Sequence, residues 1–293
     1  MIENYTDCFE QERTKLIAIA YQMIGERAGA EDLVQDTWEI WNKADKAKIE
    51  SPPAWLRTIT TRLAIDTLKS ARKKREVYVG PWLPEPLIEG PNVGLSDDFL
   101  LARDCKLALL WAMERLTVEE RSAFILRKVF DSDYSELSTV LDKKEAYCRK
   151  IVSRASKKIS DTKLKFNISA EETGLMLQNF SKACLSMNHD EVLSLLAPDA
   201  ISVSDGGGVV RAALRPLQGA NEVTSVLLSI LRKSPSRTVS EVAFANGLPA
   251  IVIAGNYDER MVLTIGLNEE SKIAWIYIMR NPNKLSTLDY DPR

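Results

Sequence analysis

The sequence predicts a multidomain chain: two all-α helical domains followed by an α+β domain. Three observations predict it. Apolar residues recur at helical spacing as far as about Ile159, the period falls to two after Phe166, and a stretch rich in proline, glycine and acid interrupts the helical part between Val79 and Phe99. The length of 293 residues fits two or three domains, and 45% hydrophobic with 27% charged residues is enough to build cores. The boundaries expected from these shifts are 1–78, a linker over 79–102, 103–162, and 163–293.

The elements follow in order. Leu16, Ile17, Ala20, Tyr21 and Ile24 make one helical stripe, and Leu33, Val34, Trp38 and Trp41 a second. Ser51 with Pro52 and Pro53 announces a third helix carrying Trp55, Ile59, Leu63 and Leu68, because proline costs nothing in a first turn whose N–H groups have no partner. Gly80-Pro81-Trp82-Leu83-Pro84-Glu85-Pro86 cannot continue a helix, and the linker carries four acids and no base. Helices resume from Asp104 to Ile159, with Thr117 and Glu120 spaced as a capping box. Helices over 172–187 and 190–196 then give way to alternating strands at Ile201/Val203, Val239, Val242/Phe244, Ile251/Ile253, Met261/Leu263/Ile265 and Ile273/Trp275/Tyr277, with a helix over 221–232 among them.

Composition excludes several classes. The acidic, polar start through Thr14 is unlike a signal peptide, and no apolar run approaches the roughly 20 residues of a membrane span, so a cytoplasmic location is expected. Cys8, Cys105, Cys148 and Cys184 form no CxxC pair and His189 is the single histidine, so no metal or cofactor is expected and the thiols read as reduced.

Against a net charge of −2, two helical segments are strongly basic: Trp55 to Arg75 holds seven lysines and arginines, and Lys143 to Lys165 holds nine. Two separated cationic helices are a footprint for a polyanion such as nucleic acid. The first mixes cations with Trp55 and with Thr58, Thr60 and Thr61, as suits DNA that is being opened, with Arg57, Arg62 and Lys69 toward it and Trp55 read as a core residue. In the second, a short helix over 135–141, a polar turn at Asp142 to Lys144 and a longer helix make a helix-turn-helix. Tyr147, Arg149, Lys150, Ser153, Arg154 and Lys157 would face outward to a major groove, and Ala146, Ile151, Val152 and Ala155 inward.

These residues resemble a known family. Ala30 to Thr37, Pro53 to Leu56 and Ala64 to Ser70 are similar to region two of extracytoplasmic-function sigma factors of the sigma-70 family, and Glu136 to Ala155 to their region four. The segment Arg75 to Leu87, Asp205-Gly206-Gly207-Gly208 and Asn281-Pro282-Asn283-Lys284-Leu285 resemble the subgroup with a SnoaL-like C-terminal extension, a cone-shaped domain related to nuclear-transport-factor-two proteins. The resemblance implies that Asp32, Gln35, Asp36 and Trp38 grip the β′ clamp helices of RNA polymerase core, with the β flap as a further contact. It implies that Arg57, Thr61, Arg62, Lys69, Arg72, Lys73 and Arg75 bind the minus-ten promoter element and that the loop from Lys43 to Ser51 captures a flipped base. Lys143, Lys144, Tyr147, Arg149, Lys150, Ser153, Arg154 and Lys157 would read the minus-thirty-five element. Four positions depart from the pattern: Ser138 for alanine, Asp142 for glycine, Lys69 for arginine and Asn283 for aspartate.

For the C-terminal domain the subgroup implies a regulatory contact. Asp205, Gly206, Gly207 and Gly208, together with Asn281, Pro282, Lys284 and Leu285, would touch region two or the linker residues Trp82, Leu83, Pro84, Glu85 and Pro86, in place of a separate anti-sigma protein. Asp199, Asp205, Tyr257 and Tyr277 are candidates to line a pocket, which leaves a small-molecule ligand open; no pair among them has a spacing that demands chemistry, so no enzyme is predicted. Two other readings use the same residues: a ligand-sensing helix-turn-helix regulator acting without polymerase, and a SnoaL-like isomerase or hydrolase fused to a DNA-binding module.

Overall fold

The helices begin and end where local chemistry dictates. In the computed structural model, which describes residues 5–90, 95–233, 242–253, 259–286 and 288, α1 (Tyr5–Ile24), α2 (Arg27–Lys43) and α3 (Pro52–Arg75) are the three predicted helices. α1 stops at Gly25, whose φ of +75° is open to glycine, and the Gly25 N–H returns to Tyr21 O at 2.7 Å. The chain divides into two compact units, the first running to Glu76 and taking in Ser96–Cys105 and Leu110–Thr162, the second comprising Val77–Leu95, Lys106–Leu109 and the chain from Lys163 onward.

In the first unit the C-terminal half of α1 is more deeply buried than a one-sided stripe requires. Every residue from Leu16 to Ile24 is at most 2% exposed. α1 packs on α2 and α3, and is also touched by the 3₁₀ turns Asp97–Phe99 and Ala102–Asp104 and by the π turn Ile125–Val129 that continues α5. Phe99 meets Tyr21 edge-to-face at 6.3 Å, and Arg27 sits over the Phe99 ring.

The two helical segments expected as separate domains share this one core. α4 (Leu107–Met113), α5 (Val118–Phe124), α6 (Tyr134–Leu141) and α7 (Glu145–Ser160) complete the helical part. The predicted capping box forms in full: Glu120 N–H donates to Thr117 Oγ1 at 3.2 Å and Thr117 N–H to Glu120 Oε2 at 2.8 Å. Arg121, on α5, is 0% exposed and donates to Gln22 O at 3.0 and 2.8 Å and to the Glu114 carboxylate. Arg75 donates to the same carboxylate at 2.9 Å and to Ile24 O at 2.7 Å, so two guanidiniums cap the final carbonyls of α1. Burial pushes the Glu114 carboxyl upward, but Arg121 and Arg75 outweigh it and hold it below the ordinary carboxylate range.

The second unit is the α+β domain. α8 (Ala170–Leu185), α9 (His189–Leu195) and α10 (Ala220–Lys233) pack with a sheet in the order β1-β4-β5-β6-β7-β2-β3, seven strands among the described residues. The strands are β1 (Ile88–Glu89), β2 (Leu196–Asp205), β3 (Leu217–Gln218), β4 (Val242–Ala245), β5 (Leu248–Ile253), β6 (Met261–Leu267) and β7 (Ile273–Met279). Among the described strands only β2 and β7 pair in parallel, with Val203 opposite Tyr277. Leu177, Phe180, Val192, Val223, Ile265 and Ile276 are part of the core between helices and sheet. Val239, expected in a strand, lies outside the described residues.

The stretch that composition marks as a linker over 79–102 supplies a strand to this sheet. β1 pairs antiparallel with β4, Ile88 opposite Ala245. The Asn246-Gly247 turn between β4 and β5 has φ of +49° and +68°, and the Asn246 side chain reaches out of the turn to accept the Leu87 N–H at 3.0 Å. Asn246 N–H in turn donates to Leu87 O at 2.9 Å. Cys105, Cys148 and Cys184 are buried, and burial pushes the Cys148 thiol up and the Cys184 thiol up to about 12.

Replacing Glu114 by glutamine is expected to cost on the order of 3 kcal/mol at neutral pH, because the buried Arg121 loses its carboxylate. Urea denaturation checks this. Since the folded carboxyl titrates below its unfolded value, its contribution is complete above the unfolded value and is lost as pH falls through the folded one, so the difference between the proteins should shrink in acid.

Candidate functional site

The α6–turn–α7 segment is built from short-range bonds. Asp133 caps α6, accepting the Glu136 N–H at 2.7 Å. Asp142 ends α6 with φ of +52°, a left-handed conformation that aspartate tolerates better than most residues, which is why it serves at a glycine position. Ser138 Oγ donates to Lys143 O at 2.6 Å, so the hydroxyl that replaces a methyl ties α6 to the turn. Along α7 Cys148, Ile151, Val152, Ala155 and Ile159 form the buried row. Ala146 was expected inward and is exposed; it lies about 200° around the helix from Cys148, which takes the inward place.

All eight residues assigned to the minus-thirty-five element, Lys143, Lys144, Tyr147, Arg149, Lys150, Ser153, Arg154 and Lys157, are exposed. Arg149 bonds Glu145 one turn earlier at 3.0 Å and stacks over the Tyr134 ring at 4.5 Å. The remaining cations form one solvent-facing row on α7 and its preceding turn.

On α3 the seven assigned residues do not form one surface. Lys69 and Lys73 are exposed, Lys69 beside Asp66 at 3.1 Å. Arg57 donates to Glu136 Oε1 at 2.8 Å, and Arg62 to Thr139 O at 2.6 Å. Arg72 donates to Leu116 O at 2.6 Å, and Arg75 belongs to the Glu114 cluster; burial pushes both guanidiniums down from their ordinary value. Thr61 corrects the sequence reading: it is 0% exposed with no partner for its hydroxyl, because it falls beside Leu56, Thr60 and Ala64 on the packed face of the helix. Trp55 is half-buried against Trp41, ring centroids 5.4 Å apart.

On α2, Asp32, Gln35 and Asp36 are exposed on one face. Trp38 is half-buried, its ring 4.8 Å from Phe9. Thr37, on the opposite face, bonds Thr60 at 3.0 Å and joins α2 to α3. In the loop between these helices the Lys46 ammonium donates to the Trp41 and Ala44 carbonyls and lies 4.6 Å from the Trp41 ring centroid, so it is held by protein while Lys43 and Lys48 are exposed.

The second unit holds a clamp around the linker. Asp205, 0% exposed at the end of β2, accepts from Tyr78 Oη at 2.6 Å, Leu83 N–H at 3.0 Å, Gly207 N–H at 2.9 Å and Lys284 Nζ at 2.8 Å. Lys284 Nζ also donates to Leu83 O at 2.6 Å and lies 4.1 Å from the Trp82 ring centroid. Asn281 Nδ2 donates to Tyr78 Oη at 2.8 Å, and Tyr277 Oη to Pro84 O at 2.8 Å. The glycines are needed for closeness: a Cβ on Gly207, at φ of +67°, would meet Asn281 side-chain atoms at 2.6 Å, and one on Gly206 would meet Val210 O at 2.3 Å. Leu83, Pro84, Pro86, Pro282 and Leu285 are buried, while Trp82 and Glu85 are half-buried and Gly208 is exposed.

Known proteins combine these parts. Residues 8–74 match the Sigma-70 region 2 model and residues 106–159 the Sigma-70, region 4 model. The ECF RNA polymerase sigma factor SigJ of Mycobacterium tuberculosis is 33% identical over 229 residues, 77% of this chain and 72% of that protein. The chain belongs to the ECF sigma factor family. The probable ECF RNA polymerase sigma factor SigI of the same species is 28% identical over 279 residues, covering 94% of this chain and 93% of the relative. The crystal structure of M. tuberculosis SigJ superposes with a TM-score of 0.78 at 27% identity over 95% of this chain and 97% of that one. That superposition extends through the C-terminal helix-and-sheet domain, the SnoaL-like extension of this ECF sigma factor.

Several residues of the sigma factor that matter here were missed or misplaced by sequence reasoning. Tyr78 sits in the linker motif but carries no signal that its hydroxyl would find Asp205, 127 positions away. Asp205 and Tyr277, candidates for a pocket wall, both hold the linker instead. Asp199 is exposed and pairs with Lys163 at 3.5 Å, and Tyr257 lies outside the described residues. Among the described residues no group of His, Cys, Asp or Glu is placed to hold a metal, and no helix is long and apolar enough to cross a membrane.

Replacing Lys284 by methionine should destabilise the second unit on the order of 3 kcal/mol, since Asp205 stays buried without its cation. Limited proteolysis should then cut the sigma factor faster between Val77 and Gly90. Gly207→Ala is expected to loosen the same segment, at about 1–2 kcal/mol for the left-handed backbone alone, read by thermal unfolding.

Proposed function

We propose that this ECF sigma factor docks on core RNA polymerase through Asp32, Gln35, Asp36 and Trp38, engages the minus-ten element with the cations of α3, and reads the minus-thirty-five element with α7. The observation that carries the reading is the solvent-facing row from Lys143 to Lys157 on the second helix of a helix-turn-helix within a region-four match. Cations along one helical face neutralise phosphates, while Tyr147, Arg149 and Arg154 supply the stacking and forked donors that base edges require. The polymerase, and not this chain, joins nucleotides.

The C-terminal domain acts in cis as a binding module and not as a catalyst, by holding the segment from Tyr78 to Glu89 and so setting the path by which the chain leaves α3. A separate anti-sigma protein is not needed in this scheme, and the protein works in the cytoplasm, where polymerase is. The support is the clamp: a buried ion pair, two tyrosine hydroxyls and a strand pairing all bear on the linker.

In vitro transcription with bacterial core enzyme on genomic fragments, including the protein's own upstream region, should give defined start sites that vanish without core. Arg149→Ala with Arg154→Ala should erase the advantage of templates with the upstream element, and Asp32→Ala with Gln35→Ala should weaken core capture by about tenfold in a pull-down titration. Lys284→Met should change output from the same start sites. Tight duplex binding with no core-dependent initiation would replace this reading with a regulator that acts without polymerase.

A further inference from the structure

Tyr134 and Glu145 are not among the residues assigned to DNA, yet both close on Arg149. The Arg149 guanidinium lies 4.5 Å from the Tyr134 ring centroid, and its Nη2 donates to Glu145 Oε2 at 3.0 Å. The ring is itself held. Tyr134 is the first residue of α6, set by the Asp133 cap, and is half-buried. A second guanidinium, that of Arg127, lies 5.4 Å from the same centroid and is tied to the Asp131 carboxylate and to Ser132 O at 3.4 Å. Acid, cation, ring, cation and acid thus run in order from Asp131 to Glu145, joining the chain after the π turn, the start of α6 and the first turn of α7.

An arginine on an open helix face has rotamer freedom to lose when it docks, and its planar fork is selective only once its plane is fixed. Here the plane lies against an aromatic face and one of the five donors is spent on a carboxylate of the same helix, which leaves the others to point away from both.

We infer that Tyr134 is a positioning residue that sets the plane of Arg149, that Glu145 is a specificity residue beside it, and that the Arg149–Glu145 pair reads one G·C base pair of the minus-thirty-five element in the major groove. The inference rests on the proposed role of α7. Across the major groove a G·C pair presents two acceptors, guanine N7 and O6, and then the cytosine N4–H donor. A guanidinium fork with a carboxylate at its edge presents donors and then an acceptor, which is the complementary row. An A·T pair sets its adenine N6–H against the fork and its thymine O4 against the carboxylate, so the same two side chains that accept G·C reject A·T. Both residues lie within the first two turns of α7, the part of a recognition helix that reaches base edges.

The test uses the full chain with core polymerase on a genomic fragment that gives a defined start site, each base pair of the upstream element being replaced in turn and output read relative to the unchanged fragment. Arg149→Ala should lower the preference for G·C at one base pair by about tenfold, which marks the pair it reads. Tyr134→Leu, which keeps bulk and loses the aromatic face, should lower the preference at that same pair by about two- to fivefold, and Tyr134→Phe should retain it. Glu145→Ala should lower it by a similar factor. Relative output at the other base pairs should stay as in the parent, whereas simple damage to the α6–α7 packing would lower output alike on every template. In the free protein the Arg149 side-chain proton resonances should carry a ring-current shift that Tyr134→Leu abolishes and Tyr134→Phe keeps.

A G·C preference that Tyr134→Leu leaves undiminished, or that Tyr134→Phe loses as fully as Tyr134→Leu, overturns the positioning role. A base pair marked by Arg149→Ala that is not G·C overturns the base assignment. If Arg149→Ala leaves every preference unchanged while core-dependent initiation persists, reading by Arg149 is overturned and the sigma function stands. If no fragment initiates with core enzyme, the functional reading itself has failed.

Discussion

The guanidinium of Arg121, closed off from water between α5 and the end of α1, is the constraint on which the first unit depends. A charge in that position is tolerable only with its hydrogen-bonding fork filled, and the two groups that fill it come from different stretches of chain: the Gln22 carbonyl and the Glu114 carboxylate. Glu114 then recruits Arg75, which takes the Ile24 carbonyl. One cluster thus ends α1, positions the C-terminus of α3 and holds α5 against both. It also explains the near-total burial of α1 from Leu16 to Ile24, because elements from both sigma regions converge on that half of the helix.

The second unit repeats this logic with a shorter list. Asp205 is as dry as Arg121, and it is satisfied by four donors, three of them from the linker or the C-terminal segment. The consequence for function is that the linker is not a flexible spacer along its whole length. Arg75 is bound in the first unit and Tyr78, three residues later, in the second. Under the proposed function, this grip close to the end of α3 is what limits the slack available to the chain.

Much of this was legible beforehand. Pro52 and the Thr117–Glu120 box mark boundaries through forces that act within a few residues, and each stands where its chemistry puts it. The outward row of α7 was legible for the same reason, since a strongly amphipathic helix separates its faces by itself. The failures share a cause. Thr61 lies on a helix cationic and polar on more than one side, so periodicity cannot say which side is covered. Asp205 and Tyr277 looked like a pocket because an acid and a phenol near strand ends suit chemistry, whereas their partners are backbone groups of a distant segment with no side-chain signature.

The sequence by itself determined the order of helical and α+β parts, the helix boundaries and the outward cationic row of α7, because these follow from composition, spacing and local capping energies; its motifs carried the resemblance to the family. Tertiary structure decided which of the basic residues face solvent, that the two sigma regions fall in one compact unit, and that the chain just after the proline-rich segment is a strand of the C-terminal sheet. Those outcomes turn on which buried polar group finds which distant partner. Desolvation makes that choice costly to get wrong, and no short window of sequence contains both halves of it.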